Sequence, residues 1–448
     1  MARRRGDAGG EGLVPASAPG MAEQATAFHA GGAAGGGAER ASPSVDRGRR
    51  NVQLDLLRGV AILLVIGRHL ELDDPGGPLG AVSWTWHRVG WIGVDLFFVL
   101  SGFLIGGLLL TELDRHGRLD VPRFLVRRGL KLYPPYYLFI AALIVLPAVK
   151  VAVRGGDALG RLGDQFFLYW PNLVFLHTYV GASPAGHTWS LAVEEHFYLL
   201  LPLALLALAA AGRVRWILHG AVVAVPVFLV MRLVAVWTDS RYAFGMSATH
   251  LRLDALLFGV GLRAVAQHWP DRFAGLRRFR VHLVVAGLVL WLPNLFVEPD
   301  TAVVRTLGLT GTYLGGAAFL LAAFHTRGAD FGRLAPLARR GAGVFAAIGV
   351  YSYAIYLWHV SVIGSLRSRV ESAVLDVTGT WNGLAWFVTA TVLTVSAVVF
   401  GAVATKLVDW PVLRFRDRFF PSRAESLPTA SAARRPRRCA GGAVPAGD

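Results

Sequence analysis

Apolar positions in this chain gather into long unbroken blocks separated by short polar stretches. The blocks cover residues 54–70, 91–112, 133–152, 189–211, 216–237, 251–266, 281–297, 304–325, 344–366 and 384–408. Each is close to the roughly 20 residues that a helix needs to cross the hydrocarbon of a bilayer. The pattern predicts an all-α polytopic bundle of about ten transmembrane helices. The segment 165–180 is apolar and aromatic but short and interrupted by Pro171, so it reads as interfacial or re-entrant. Residues 1–50 are rich in Gly, Ala and Arg without apolar period, and 421–448 is a Ser, Ala, Pro and Arg stretch. Both read as disordered tails flanking a membrane domain over 51–420. The first of them holds no apolar run of the kind that makes a cleavable signal peptide.

Composition agrees. Of 448 residues, 54% are hydrophobic and 17% charged, and mean hydropathy is +0.48; a soluble domain of this length carries more surface charge. Net charge is +16, but most Arg lies in loops between apolar blocks. That favours a membrane surface over nucleic acid, for which no basic patch on a soluble domain is present. One alternate set of loops holds Arg47 to Arg50, Arg115 to Lys131, Arg213 and Arg215, Arg272 to Arg280, Arg327 to Arg340 and Arg414 to Arg418. The positive-inside rule makes that set cytoplasmic, and an even number of spans then places both termini inside. A single cysteine, Cys439, sits in the polar tail, which removes disulfides and thiol nucleophiles from the core.

Titratable residues inside a span are costly and mark candidate function. Arg58 and His69 share the first span. Their separation of 11 residues is about 16 Å of rise and about 20° from a whole number of turns, so they lie on one helix face. With alternating orientation, Asp95, Glu194, Glu195, His196, Arg252, Asp254 and His359 fall near the same outer depth as His69, as an acid/base-lined chamber would require. Structural readings stand beside this one. Asp95 and Arg252 would serve equally as an inter-helix ion pair, Asp254 as a helix cap, and His196 as a packing residue. His359 would fit an aromatic interfacial belt with Tyr351, Tyr353, Tyr356 and Trp358. The basic stretch Arg123, Arg127, Arg128, Lys131 reads either as positive-inside loop charge or as a cradle for phosphate.

Six segments, taken in order, resemble the membrane-bound acyltransferase-3 family, the integral membrane O-acyltransferases of cell-surface polysaccharides and some macrolides. They are Leu54–Gly59 with His69; Gly93–Ile105; Arg127–Pro134; Trp189–Tyr198; Arg252–Ala255 with Gly259; and Ser352–His359. They run across nearly the whole membrane part, and Arg58 and His69 fit the family's Arg-x10-His pair. Two departures stand out: the second Arg of the cytoplasmic Arg-x-x-Arg is Lys131, and the Gln after the Glu pair is His196. No esterase-like domain of the kind carried by longer fused members is expected after the last span.

The resemblance implies transfer of an acyl group, acetyl first, from acyl-CoA to a hydroxyl of a carbohydrate or glycosylated acceptor. His69 would be the general base, with Glu194 or Glu195 orienting it. Arg58, Arg127, Arg128 and Lys131 would hold the donor phosphates, and Asp95, Ser101, Arg252, Asp254 and His359 would support the chamber. Acyl-CoA is then a co-substrate, and neither a resident cofactor nor a metal is expected. Membrane lipid, the coenzyme and the carbohydrate are the expected partners; acceptor identity, acyl length, a covalent acyl-enzyme and oligomeric state stay open. The alternative is a transporter or flippase, since intramembrane charges also line translocation paths.

Overall fold

A computed structural model describes residues 51–181, 183–240 and 247–421, and all regular structure among them is helical. The two expected disordered tails, Pro421 apart, lie outside the described residues. The principal helices are α1 (Val52–Leu70), α2 (Gly77–Val89), α3 (Ile92–His116), α4 (Val121–Val153), α5 (Ala158–Leu173), α6 (Trp189–Ala210) and α7 (Trp216–Trp237). They continue as α8 (Leu253–His268), α9 (Arg280–Trp291), α10 (Leu309–His325), α11 (Ala335–Val350), α12 (Ser352–Thr378), α13 (Gly383–Ala404) and α14 (Trp410–Phe419).

Seven helical stretches among the described residues are long and apolar enough to cross a membrane, and the pair α11–α12, bent by 73°, raises the number to eight. The chain is therefore a multi-pass membrane protein. The two remaining apolar blocks are helices too, but they differ in kind. α1 carries Asp55, Arg58 and Arg68, and α8 is 16 residues long. Both lie inside the bundle, α1 against α3 and α11, and α8 along α3, so neighbouring protein rather than lipid accommodates their charges. α5, at 16 residues and running through Pro171 to end at Leu173, is too short to cross, in line with the expectation for this segment.

Glycines set the close helix crossings. A Cβ at Gly59 would strike the carbonyl of Phe345 on α11, and one at Gly349 the carbonyl of Asp55 on α1. Gly102 and Gly259 do the same between α3 and α8, against the carbonyls of Leu256 and Val99. Without a hydrophobic force between helices in lipid, such backbone approach maximises dispersion contact.

Two boundaries differ from the sequence reading. The helix expected from 133 begins at Val121, where the Asp120 side chain accepts from the Arg123 amide at 3.2 Å. It then runs through Pro134, Pro135 and Pro147 to Val153. The basic stretch is thus the first turns of a helix, not a loop. The expected single span at 344–366 is two helices that meet at Tyr351.

Candidate functional site

A cavity of about 710 Å³ enters the bundle. At its mouth stand Asn51 before α1, Arg115 late in α3, and Asp409 and Trp410 at the start of α14; at its far end are Phe97, Ser190 and Tyr356. Arg58, Ser101, Arg128, Lys131, Glu194 and Tyr198 line it between. Arg128 and Lys131, three residues apart on α4, share a face. Arg128 stacks over the Tyr198 ring at 5.4 Å. Neither cation has an ion-pair partner among the described residues, whereas Arg58 is held by Asp55 at 3.0 Å. The Tyr198 hydroxyl donates to Glu194 at 2.9 Å and accepts from the Ser101 hydroxyl at 3.0 Å.

Beyond Tyr356 lies a cluster of imidazoles. His69, at the end of α1, packs edge-on against His359 of α12 with ring centroids 4.9 Å apart. His187, in the turn before α6, completes the group, 5.4 Å from His359 and 6.4 Å from His69. The Tyr356 hydroxyl hydrogen-bonds the His187 carbonyl and lies 2.6 Å from Ser190 Oγ, so the cavity's end wall is also the floor of the cluster.

Backbone carbonyls fix the protons here. His359 Nδ1 lies 2.7 Å from the Tyr356 carbonyl. A carbonyl only accepts, so Nδ1 carries the hydrogen and Nε2 of the neutral ring carries a lone pair. That lone pair faces His69 Nδ1 at 3.2 Å, which is also 3.0 Å from the Val65 carbonyl. His69 Nδ1 is therefore the donor, shared between two acceptors. Its Nε2 is left as a lone pair with no hydrogen-bond partner among the described residues. A neutral imidazole held with Nε2 open is competent to accept a proton.

The single acid-lined chamber expected from the sequence is three separate places. Neither Glu194 nor Glu195 hydrogen-bonds His69: the first accepts from Tyr198, the second from Tyr133 at 3.0 Å. His359 stands where a glutamate was expected. Arg127 does not line the cavity. It faces the other side of α4, donating to the Phe420 carbonyl and to Asp417 at 3.3 Å, while Arg123 donates to the Pro421 carbonyl at 2.6 Å. These contacts clamp α14 to α4.

Asp95, Arg252 and Asp254 form a third, dry group. Arg252 pairs with Asp95 at 2.7 Å, and Thr312 donates to the other oxygen of Asp95 at 2.9 Å. Asp254, proposed as a cap, is paired with Arg232 at 2.8 Å, which also donates to Thr310 and to the Leu251 carbonyl. These four charged side chains are 1–3% exposed. His196 is a packed residue, 2.6 Å from Thr249 Oγ1. Arg232, Tyr198 and His187 were not singled out from sequence. Arg232 was detectable as a charge inside the block 216–237; His187 had no signal beyond its place before Trp189. No three His, Cys, Asp or Glu side chains converge as a metal site among the described residues.

The chain is 28% identical over 348 residues to the peptidoglycan O-acetyltransferase OatA of Listeria monocytogenes, covering 72% of this chain and 50% of the relative. It is 29% identical over 328 residues to the putative peptidoglycan O-acetyltransferase YrhL of Bacillus subtilis, covering 69% and 48%. Against the O-acetyltransferase OatA of Staphylococcus aureus it is 28% identical over 338 residues, covering 70% and 51%. The chain thus spans about half the length of the curated relatives it matches. No solved structure matches it significantly. The acyltransferase-3 model, described as an acyltransferase domain, matches residues 51–403, and that match extends from the first turn of α1 to the end of α13: this chain belongs to the acyltransferase-3 family.

Proposed function

We propose that the chain is an integral membrane O-acetyltransferase that moves an acetyl group from acetyl-CoA to a hydroxyl of a carbohydrate acceptor, with peptidoglycan glycan the first acceptor to test. The names of its relatives support the reaction and the acceptor class. One observation carries the mechanism: a cavity with two unpaired cations, Arg128 and Lys131, ends on the residue, Tyr356, whose backbone carbonyl orients the histidine pair. Guanidinium and ammonium groups without carboxylate partners suit the coenzyme's phosphates. The thin pantetheine arm then runs along Tyr198, Ser101 and Glu194 and brings the thioester toward the imidazoles.

His69 Nε2 takes the proton of the acceptor hydroxyl as its oxygen attacks the thioester carbonyl. The tetrahedral centre collapses, the C–S bond breaks, and the coenzyme thiolate leaves, recovering the proton from Nε2–H. The new bond is the acetyl ester. As positive charge develops on His69, its Nδ1–H is steadied by the His359 lone pair and the Val65 carbonyl, the part that a carboxylate plays behind many catalytic histidines. In this reading Glu194 belongs to the donor channel and Glu195 to its Tyr133 contact, neither behind the base, and the cavity mouth and both chain termini face the cytoplasm.

The test uses detergent-purified protein, labelled acetyl-CoA and an N-acetylglucosamine oligomer. Free coenzyme and acetylated glycan are expected together, and only when the oligomer is present. Removing a general base lowers turnover by about 10²- to 10⁴-fold, so His69→Ala is expected to fall by that factor with unchanged thermal melting. Wild-type turnover in that variant would remove His69 from the reaction. Failure of the unmodified protein to acetylate any glycan or glycosylated acceptor would remove the reading as a whole.

A further inference from the structure

The end of the bundle that carries His69 holds a second cavity of about 310 Å³, between the last turn of α1, the helix α2 and the start of α13. Trp84, Trp86 and Trp386 form its walls, and Glu71, Asp74, Ser83 and His87 are its polar groups. The walls are held in place. Trp86 Nε1 donates to the Leu63 carbonyl at 2.8 Å, and its ring covers Gly67, where any Cβ would collide with it. Arg68 donates to His87 Nε2 at 2.6 Å, fastening α2 to α1.

Rings and acceptors meet in this ordered setting. Trp386 is 4% exposed and Trp84 52%, so the aromatic wall runs from the protein interior to the surface, and the exposed Glu71 sets a carboxylate at the rim. Aromatic walls with carboxylates and a hydroxyl at their edges complement a pyranose, whose C–H faces stack on rings and whose hydroxyls point outward from the rim.

We propose that this cavity is an anchoring subsite for a non-reacting sugar unit of an extended glycan acceptor. The proposal rests on the carbohydrate-acceptor reading above and deepens it. Gly67 and Leu70 lie on one face of α1 and bound this cavity, while His69 leaves the same turn in another direction, toward His359. The sugar held between the tryptophans is therefore not the one whose hydroxyl meets His69 Nε2. A neighbouring unit of the same chain crosses the end of α1 to the base, and the enzyme prefers oligosaccharides to monosaccharides.

The experiment titrates the purified full-length protein with N-acetylglucosamine tetramer and, separately, with the monomer, following tryptophan fluorescence. The tetramer is expected to bind more tightly than the monomer. Trp84→Ala removes an aromatic wall at a half-exposed position, and Glu71→Gln alters an exposed position; neither residue is in the core, which guards against a folding defect. Each is expected to weaken tetramer binding about three- to tenfold, the worth of one stacked ring or one hydrogen bond. Each also raises the ratio of the tetramer KM to the monomer KM by that factor. Equal affinity for tetramer and monomer, or wild-type tetramer binding in both variants, overturns the proposal and leaves the tryptophans as an interfacial belt. Tight tetramer binding without any acetyl transfer to it sustains the subsite and overturns the acyltransferase reading instead.

Discussion

At the residue scale the arrangement turns on a single hydrogen. Two backbone carbonyls, of Val65 and Tyr356, dictate which nitrogen of each imidazole is protonated, and the result is an imidazole, His69, whose Nε2 lone pair is open. The geometry separates the members of the cluster. His359→Phe keeps an aromatic ring but removes the acceptor for His69 Nδ1–H. One such hydrogen bond is worth about 1 kcal/mol, so kcat is expected to fall about tenfold or somewhat less, with KM for acetyl-CoA unchanged. Tyr356→Phe preserves the carbonyl that His359 needs and deletes only the hydroxyl, so its effect on kcat is expected to be the smaller. A larger loss in Tyr356→Phe than in His359→Phe would contradict the assignment of protons. The sequence already placed Arg58 and His69 on one face, because helical spacing is local information. It offered Glu194 or Glu195 as the partner of His69 and missed His359, because His359 and His187 are 290 and 118 positions away and their orientation depends on packing.

At the element scale, the buried charges of α3, α7 and the start of α8, met by two threonines of α10, act as a latch between helices. Arg252–Asp95 and Arg232–Asp254 are dry pairs whose remaining lone pairs and N–H groups are met by Thr312, Thr310 and the Leu251 carbonyl. Breaking one member of such a pair leaves an uncompensated buried charge, at a cost of about 3–5 kcal/mol. Asp95→Ala is therefore expected to lower the unfolding free energy by about that amount, measured in detergent; a loss below about 1 kcal/mol would mean that the pair is hydrated. Gly259→Val tests the same interface sterically. Its side chain would press on the Val99 carbonyl, with an expected loss of about 1–3 kcal/mol. The Asp95–Arg252 pair was foreseeable because both charges lie within apolar blocks. The N-terminal third of α4 was not, since hydropathy alone treats Arg123 to Lys131 as loop. Its helicity comes from the Asp120 cap and from two uses of its faces, one gripping α14 and one lining the cavity. The break at Tyr351 was hidden for a related reason: a bend leaves apolar content unchanged.

At the scale of the whole molecule, the charge and the cavities have a direction. In the proposed orientation, Arg128, Lys131 and the mouth residues Asn51 and Arg115 lie at the end of the bundle that the Arg-rich loops assign to the cytoplasm. His69 and the tryptophan-lined cavity lie at the other. Such an arrangement lets the donor enter from one side of the membrane and the acceptor from the other, with the acetyl group alone passing between them. Sealed vesicles of each orientation distinguish this from a site that draws both substrates from one side. Inside-out vesicles, with the cytoplasmic face outward, are expected to consume added acetyl-CoA and to acetylate glycan trapped within; right-side-out vesicles given the same external acetyl-CoA are expected to be inert. Replacing both Arg128 and Lys131 by Ala removes two charge-assisted contacts, each worth about 1.5–3 kcal/mol. The donor KM of inside-out vesicles should then rise by at least about tenfold, and its dependence on ionic strength should flatten, because two cations lining the cavity no longer attract the phosphates. Equal consumption of external acetyl-CoA by both orientations would place the donor site on the wrong face, and with it the direction assigned to the cavity.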